Sequence, residues 1–157
     1  MCPCLLISIG PALHPAHHIP ELKTRKRESV LGELTRLAGE SGLVREPEVL
    51  RGTLVLRERL GSTAVGRGVA VPNARSLLVS RPVVIVARSR RGVAWGEDEE
   101  PVHLVLLVLS PAATRASAHL ARVGRVAVAV RSVRVRQKLL EGSWPEEMGA
   151  LLEGSSG

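Results

Sequence analysis

Two long apolar runs restrict the fold of this chain more than any other feature. Residues 83–87 and 102–109 are apolar throughout except for His103, and the second run lies between Pro101 and Pro111. A strand with one face in water alternates apolar and polar residues, whereas a strand covered on both faces is apolar along its length. Both runs therefore predict central strands of a sheet that is covered on each face.

Helical patterns precede these two runs. Apolar residues recur with helical spacing from Lys26, and Gly39 or Gly42 is expected to end this first helix. A second helix is predicted to start at Pro47 and to place Arg57 in its last turn. The positions that these two helices are expected to turn toward the core are Val30, Leu31, Leu34, Leu37, Ala38, Val49, Leu50, Leu54 and Leu60.

Three further helices are predicted after the second run. The third starts near Thr114, the fourth covers residues 133–140, and a capping-box pattern of Ser143 and Glu146 opens the fifth. The core positions expected in the third and fifth helices are Leu120, Val123, Val126, Ala127, Met148, Leu151 and Leu152. Strands flanked by helices in this order predict an α/β fold with a mixed β-sheet sandwiched between helix layers.

The domain limits follow from composition. Residues 1–18 are rich in proline and histidine and are predicted to be a loose N-terminal lead-in, residues 19–153 to form one domain, and residues 154–157 to be a flexible tail. The acidic residues 97–100 are expected to lie in a solvated hairpin connection between the two apolar runs. His103 is interpreted as a hydrogen-bonded core histidine.

The charge of the chain raises the question of an anionic partner. The formal net charge is +7, and a basic surface attracts nucleic acids and anionic membranes. The chain has no Phe and no Tyr, so the aromatic side chains on which bases stack are scarce. A nucleic-acid-binding module driven by the arginine-rich residues 122–138 is therefore the third of three hypotheses, behind the two given at the end of this subsection.

Residues near the N-terminus bear on compartment, membrane and metal. Only two cysteines occur, both within the first four residues, which is not the framework of a secreted domain and favours a reducing cytoplasm. The apolar residues 4–9 are too few to span a membrane, so no membrane insertion is expected. The potential metal ligands in this region are Cys2, Cys4, His14, His17 and His18. Their spacing matches no zinc pattern, so neither a metal nor a cofactor is predicted.

Residues 61–76 carry the densest set of chemically useful groups in the chain. The loop residues expected to face a ligand, or to let one approach the backbone, are Gly61, Ser62, Thr63, Gly66 and Gly68. The glycines allow positive φ and close backbone approach, and Pro72 fixes the backbone as the chain leaves a short buried strand at residues 69–71. Asn73 is therefore presented at the end of a strand.

The same region carries a resemblance to a known family. Residues 57–72 read RERLGSTAVGRGVAVP, which resembles the signature of the enzyme IIA (EIIA) domain of the phosphoenolpyruvate-dependent sugar phosphotransferase system (PTS), in the fructose, mannitol and nitrogen-regulatory class. Residues 92–96, residues 101–111 and His119 are similar to the segments that follow in that family. The resemblance covers nearly the whole chain from residue 19 and implies the same α/β sandwich.

The resemblance also implies a site and a departure from it. In the family, the residue after the proline is the histidine that carries the phosphoryl group, and here that residue is Asn73. An amide nitrogen has a delocalised lone pair and is not a useful phosphoryl acceptor. Arg57, His119 and the loop hydroxyls would form the electrostatic cradle of the site, and Arg75 could add positive charge at its mouth. The predicted anion-binding or partner-binding residues are Arg57, Ser62, Thr63, Asn73, Arg75 and His119, with no catalytic residue among them.

The favoured interpretation is an EIIA-like protein without the usual phosphohistidine. It would act in the cytoplasm as a regulatory or scaffold domain that binds a protein partner, either a PTS component or a regulated enzyme or transporter. Weak phosphate or sulfate binding at the former active site is expected. The alternative is an active phosphocarrier that uses His119 or another acceptor.

Overall fold

The computed structural model describes residues 13–96 and 100–141, and in these ranges the chain forms six strands and four helices. The strands are β1 (Leu13–Ile19), β2 (Ala64–Gly66), β3 (Val69–Ala70), β4 (Asn73–Ser76), β5 (Val83–Val93) and β6 (Val102–Pro111). The helices are α1 (Arg27–Glu40), α2 (Pro47–Leu60), α3 (Ala116–Ala129) and α4 (Val133–Glu141).

The two apolar runs are the central strands β5 and β6. They pair antiparallel, with Val83 opposite Leu109 and Ala87 opposite Val105. The sheet order is β1-β5-β6-β3-β2, and β4 pairs with β6 as well. Because β1 is parallel to β5, and β3 and β4 are parallel to β6, the sheet is mixed, as predicted.

Helices cover both faces of this sheet. Val83, Ile85 and Ala87 of β5 belong to the apolar cluster that includes residues of α1 and α2. Val84 and Val86 point the other way, into the cluster that includes residues of α3 and α4. Each of these five side chains is at most 1% exposed. The predicted sandwich is therefore confirmed, and it explains why the two runs are apolar on both faces.

The helix limits agree closely with the sequence patterns. Helix α1 ends just before Gly42, whose φ of +73° is readily adopted only by glycine, and α2 begins at Pro47. Helices α3 and α4 begin within two residues of the predicted starts. The predicted fifth helix, at residues 143–152, lies outside the described residues. None of the helices that the structure describes combines the length and apolar composition that a membrane span requires.

Strand β1 begins six residues before the predicted start of the domain. Residues 13–18 were expected in a loose lead-in but belong to β1, in which His18 pairs with Val86 and Ile19 with Ala87 of β5. An edge strand tolerates a proline, since one of its sides forms no ladder, and Pro15 therefore does not exclude a strand here. Residues 1–12 and 154–157 lie outside the described residues.

Strand β5 is six residues longer than its apolar run. The expected connection from residue 88 instead continues the strand to Val93, with an irregular register after Arg88. Arg88 is only 8% exposed, and its guanidinium donates to carbonyl oxygens of Pro20 at 2.9 Å and Leu140 at 2.8 Å. These bonds allow a charged residue inside a strand that the apolar pattern alone would have ended.

Three residues predicted to lie in the core are on the surface. Val49 and Leu60 of α2 are 54% and 86% exposed, and Leu120 of α3 is 59% exposed. The core side of α2 is formed instead by Leu50 and Leu54, which are at most 1% exposed. Helical spacing had assigned one apolar face that was too wide, because single apolar residues also occur on surfaces.

Candidate functional site

Asn73 lies at an interruption in the sheet. Strands β3 and β4 lie on the same side of β6, and Val71 and Pro72 separate them. Pro72 has no N–H to give to the ladder, but its carbonyl oxygen accepts a 2.9 Å hydrogen bond from the Val108 amide. The chain therefore stays attached to β6 while it changes course, and Asn73 is held as the first residue of β4.

The structure brings Asn73 and His119 together, as the resemblance implied. His119 lies in the first turn of α3, and its Nε2 is 3.2 Å from Oδ1 of Asn73. The two side chains belong to buried residues, which are 7% and 5% exposed. The predicted proximity of these residues is confirmed.

The surrounding groups determine how this pair is protonated. Nδ2 of Asn73 is 3.2 Å from the Val71 carbonyl oxygen, and because a carbonyl only accepts, the amide must donate there. Oδ1 of Asn73 therefore faces His119, whose Nε2 must carry a hydrogen and donate it. In a neutral imidazole the other ring nitrogen, Nδ1, then accepts from the Ser110 hydroxyl, which lies 2.7 Å away. For a neutral ring, the pattern therefore selects the Nε2–H tautomer of His119.

Ser110 and Arg122 extend this chain of hydrogen bonds. Ser110 is fully buried at the end of β6, and its oxygen accepts from Nη1 of Arg122 at 3.1 Å. Donation therefore runs in one direction from Arg122 through Ser110 and His119 to Asn73 and the Val71 carbonyl. Neither Ser110 nor Arg122 was predicted as a site residue. The available signals were a lone hydroxyl in an apolar strand and an arginine three positions after His119.

The electrostatics of the site favour a neutral imidazole. Burial lowers the pKa of His119 from its ordinary value of 6.5. The positive charges of Arg122, Arg57 and Arg75, in that order, lower this pKa further. Three cations thus act on one buried ring, and no aspartate or glutamate contributes to the shift.

Arg57 and Arg75 supply exposed positive charge at the site. Arg57 stands in the last turn of α2, and its guanidinium forms no ion pair or hydrogen bond with any residue that the structure describes. Arg75 lies on β4 and uses Nη1 to donate to the Thr114 carbonyl at 2.7 Å. Both side chains influence the pKa of His119, so they act on the same region.

The two loop hydroxyls have different surroundings. The Thr63 hydroxyl donates to Glu58, and the Thr63 amide donates to the same carboxylate at 3.1 Å. Glu58, only 4% exposed, also accepts from the indole N–H of Trp95 at 3.2 Å. The Thr63 hydroxyl is therefore committed to the protein itself and cannot also donate to an anion. The Ser62 oxygen accepts from the Ala64 amide at 3.2 Å, which leaves its own hydrogen available.

Two of the three loop glycines use the positive φ that glycine allows. Gly66 and Gly68 have φ values of +85° and +75°, and Arg67 between them also has a positive φ of +58°. Gly61 has a φ of −178°, which is extended backbone that any residue adopts. Strand β3 begins directly after this turn and reaches the sheet beside β6.

Two further expectations concern His103 and the candidate metal ligands. His103 is half-buried, and its Nδ1 lies 2.9 Å from the Ser89 carbonyl, which agrees with a hydrogen-bonded core histidine. Within residues 17–96 and 100–141, whose side chains the structure describes, no three His, Cys, Asp or Glu side chains are grouped so as to hold a metal ion. Cys2, Cys4 and the side chain of His14 lie outside these ranges.

Comparison with known proteins extends the resemblance. The chain is 34% identical over 126 residues to a nitrogen regulatory protein of Bradyrhizobium diazoefficiens, covering 80% of this chain and 81% of that protein. It is 28% identical over 121 residues to the fructose-specific EIIABC component of Bacillus subtilis, covering 76% of this chain. The match spans only 19% of the length of that larger protein.

Solved structures share the fold. The crystal structure of the nitrogen regulatory protein IIA-Ntr from Neisseria meningitidis is similar with a TM-score of 0.81 and 28% identity, covering 92% of this chain and 98% of that one. EIIA of the mannitol system from Escherichia coli, solved in complex with phosphorylated enzyme IIB, is similar with a TM-score of 0.75 and 23% identity, covering 90% and 97%.

A family model matches most of the chain. The model described as phosphoenolpyruvate-dependent sugar phosphotransferase system, EIIA 2, matches residues 13–154, a range that begins with β1 and contains all the site residues described above. The chain belongs to the EIIA type 2 family of the phosphoenolpyruvate-dependent sugar phosphotransferase system.

Proposed function

We propose that this chain is a regulatory or scaffold member of the EIIA family that binds a protein partner around Asn73 without carrying a phosphoryl group. The observation that carries the proposal is the closed hydrogen-bond chain through Asn73 and His119. In this chain of bonds, neither side chain presents an unprotonated nitrogen to solvent. A phosphoryl carrier needs such a nitrogen as its nucleophile.

Asn73 cannot supply the nucleophile. Its nitrogen is an amide with a delocalised lone pair, and one of its hydrogens is donated to the Val71 carbonyl. The residue nevertheless keeps the site polar and closed, since its oxygen accepts from His119. By resemblance, Asn73 stands where the family carries its phosphohistidine, so we infer that it holds the site permanently in the unphosphorylated form.

His119 is poorly placed to replace the missing acceptor, which argues against the alternative of an active carrier. In the required tautomer its only nucleophilic lone pair is on Nδ1, and this nitrogen is bonded to the buried Ser110 hydroxyl. Use of Nε2 would require a tautomer change and the loss of the bond to Asn73. In addition, a partner shaped to approach position 73 would have to deliver the phosphoryl group to a different atom, and such displacements are costly in transfer reactions.

The site keeps a capacity for anions. Arg57, Arg75, the Ser62 hydroxyl and the second hydrogen of the Asn73 amide are donors that the hydrogen bonds described above do not use up. We infer that phosphate or sulfate binds there in the millimolar range, which corresponds to about 4 kcal/mol. The Thr63 hydroxyl is not part of this set, because it is committed to Glu58.

The surface around the site suits a protein partner. Exposed leucines follow three of the segments that form the site: Leu60 ends α2 after Arg57, Leu77 follows β4, and Leu120 follows His119. They are 86%, 80% and 59% exposed. Apolar side chains mixed with positive charge are typical of an interaction surface. We propose a cytoplasmic PTS component, of the EIIB or phosphocarrier class, as the partner.

Binding should be tested with the labelled chain and an unphosphorylated partner. We expect that an EIIB domain of the fructose and mannitol class, or the phosphocarrier HPr, shifts the amide signals of residues 57–63, 73–77 and 119–122. Leu120→Asp should weaken binding at least about tenfold, or about 1.4 kcal/mol. Val128→Asp is the matched control, because Val128 is 50% exposed on the same helix but lies near its other end. Equal loss with both variants, or shifts confined to other surfaces, would refute the proposed interface.

A second arm tests the locked state. Asn73→His should restore an acceptor, and its phosphorylated form should bind the same partner more weakly than the wild-type chain does, because charge is added at the centre of the interface. A partner that binds the phosphorylated variant more tightly than wild type would contradict the assignment of Asn73 as a permanent unphosphorylated state.

A further inference from the structure

Besides the site around Asn73, the structure has a groove lined by basic residues between the N-terminus of α1 and helix α2. Its volume is about 660 Å³, and its basic lining residues are Lys26, Arg27, Arg51 and Arg59. Small-molecule sites in proteins have volumes of roughly 300–1,000 Å³, so the groove is much larger than a single inorganic ion needs. None of its lining residues belongs to the predicted site around Asn73.

The two carboxylates in the groove do not neutralise its positive charge. Both oxygens of Glu58 are already used by Thr63 and the Trp95 indole, and Glu28 pairs with Arg59 at 3.1 Å. Lys26 and Arg27 have no carboxylate partner among the described residues. Arg51 also pairs with Glu48, which lies outside the lining, at 3.4 Å. Four cations against these three carboxylates leave a net charge of one positive unit.

The backbone adds donors to this charge. No side chain caps the N-terminus of α1, and the first-turn amides of a helix have no acceptor within the helix. The Ser29 residue of this turn also lines the groove. The positive end of the helix dipole reinforces the attraction of an anion at this position.

The arginines are held in position before any ligand arrives. Nη1 of Arg27 donates to the Trp95 carbonyl at 2.8 Å, and Nε of Arg51 donates to the Glu28 carbonyl at 3.2 Å. Each guanidinium has five N–H donors in a fixed plane, so several remain available. Fixed donors lose less side-chain freedom on binding than mobile ones.

We propose that this groove binds a phosphorylated small molecule with at least two negative charges. Fixed arginines and first-turn amides suit the phosphate, and the remaining volume accommodates an organic group of moderate size. The site does not depend on the function proposed at Asn73, because its cations, at the start of α1 and on α2, are not among the residues of that site.

Inorganic pyrophosphate is the probe for a first test, with inorganic phosphate for comparison. We expect pyrophosphate to shift the amide signals of residues 27–29 and the indole N–H signal of Trp95, and to bind several times more tightly than phosphate. Raising the salt concentration from about 50 to about 200 mM should weaken the interaction, because charge screening increases.

Variants decide whether the groove is responsible. Lys26→Gln removes a charge that has no carboxylate partner among the described residues, and it should weaken binding a few-fold. Arg27→Gln combined with Arg51→Gln should weaken it by at least about tenfold. Glu28→Gln should strengthen binding, because it removes a negative charge and releases Arg59. This gain cannot come from partial unfolding. Arg36→Gln, which removes an exposed charge of α1 outside the groove lining, should leave the affinity for pyrophosphate unchanged.

The results separate this proposal from the proposed function. If pyrophosphate shifts the NMR signals of Arg57, Asn73 and His119 only, and none at residues 27–29, the proposal of groove binding is overturned and the proposed function stands. An affinity for pyrophosphate that is insensitive to both Lys26→Gln and Glu28→Gln would also overturn it. Groove binding without any partner binding around Asn73 would contradict the proposed function alone.

Discussion

Replacing the buried Ser110 by alanine should disrupt the hydrogen bonds of the site without changing any surface that a partner could contact. Ser110 is fully buried, donates to His119 at 2.7 Å and accepts from Arg122 at 3.1 Å. Ser110→Ala removes the one hydroxyl that bonds to both neighbours, so Nδ1 of His119 and Nη1 of Arg122 each lose a hydrogen bond. Nε of Arg122 already lacks a partner among the described groups, so the guanidinium has little to compensate with.

The size of the effect follows from these two contacts. A buried polar group left without its partner costs about 1–3 kcal/mol. Arg122 is only partly buried and can recover some bonds to water, so we expect a total loss of about 2–3 kcal/mol for the two groups. For a domain of this size that corresponds to a fall in Tm of roughly 5–10 °C.

Denaturant unfolding and nitrogen NMR of the imidazole should be measured on the same samples. The matched control is Ser80→Ala, because the Ser80 hydroxyl donates to the Leu43 carbonyl at 3.1 Å on an exposed residue, and its removal should cost less than about 1 kcal/mol. In wild type, His119 should show the Nε2–H tautomer, and in Ser110→Ala that preference should weaken. Equal stability of the two variants, or an Nδ1–H tautomer in wild type, would refute the proposed direction of the hydrogen bonds.

Two further predictions concern pH and backbone. Because folding lowers the pKa of His119, the unfolded chain binds more protons than the folded chain below about pH 6.5. The contribution of this residue to the free energy of unfolding is complete above that pH and is lost as the pH falls. The urea midpoint should therefore fall between about pH 7.5 and pH 5, and less steeply in His119→Gln; equal slopes would contradict this. Gly92→Ala should lower the free energy of unfolding by about 2–4 kcal/mol, since φ at this residue is +83° and the new Cβ would lie 2.9 Å from Cβ of Pro101. Gly124→Ala, in open space on α3, should instead raise the free energy of unfolding by roughly 0.5–1 kcal/mol. Thermal unfolding that ranks Gly92→Ala as more stable than Gly124→Ala would refute the backbone environments assigned to these two glycines.

The central architecture could be predicted from the sequence because its signals are local. Continuous apolar runs identify strands covered on both faces, and Pro47 and Gly42 mark helix ends through their own backbone preferences. The edge strand β1 could not be predicted in this way, since its place depends on pairing with β5, which follows it by about seventy residues in the sequence. Helical spacing likewise could not show that Leu60 and Leu120 face solvent.

The site was predictable only as a set of residues. The loop signature indicated Asn73, Arg57 and His119, but the direction in which hydrogen bonds run through them depends on Ser110 and Arg122, which come from β6 and α3. The commitment of the Thr63 hydroxyl to Glu58 also depends on three-dimensional contacts. Chemical type is visible in a sequence, whereas the partner that each donor selects is not.

The most direct test of the central claim is the intact mass of the chain after incubation with phosphoenolpyruvate, enzyme I and HPr. Because Asn73 offers no acceptor and the lone pair of His119 is buried against Ser110, the wild-type chain should gain no phosphoryl group. The Asn73→His variant, treated in parallel, should gain one, which shows that the phosphorylating system is active. An acid-labile phosphoryl group on the wild-type chain that disappears in His119→Ala would contradict the account and establish this protein as a phosphocarrier.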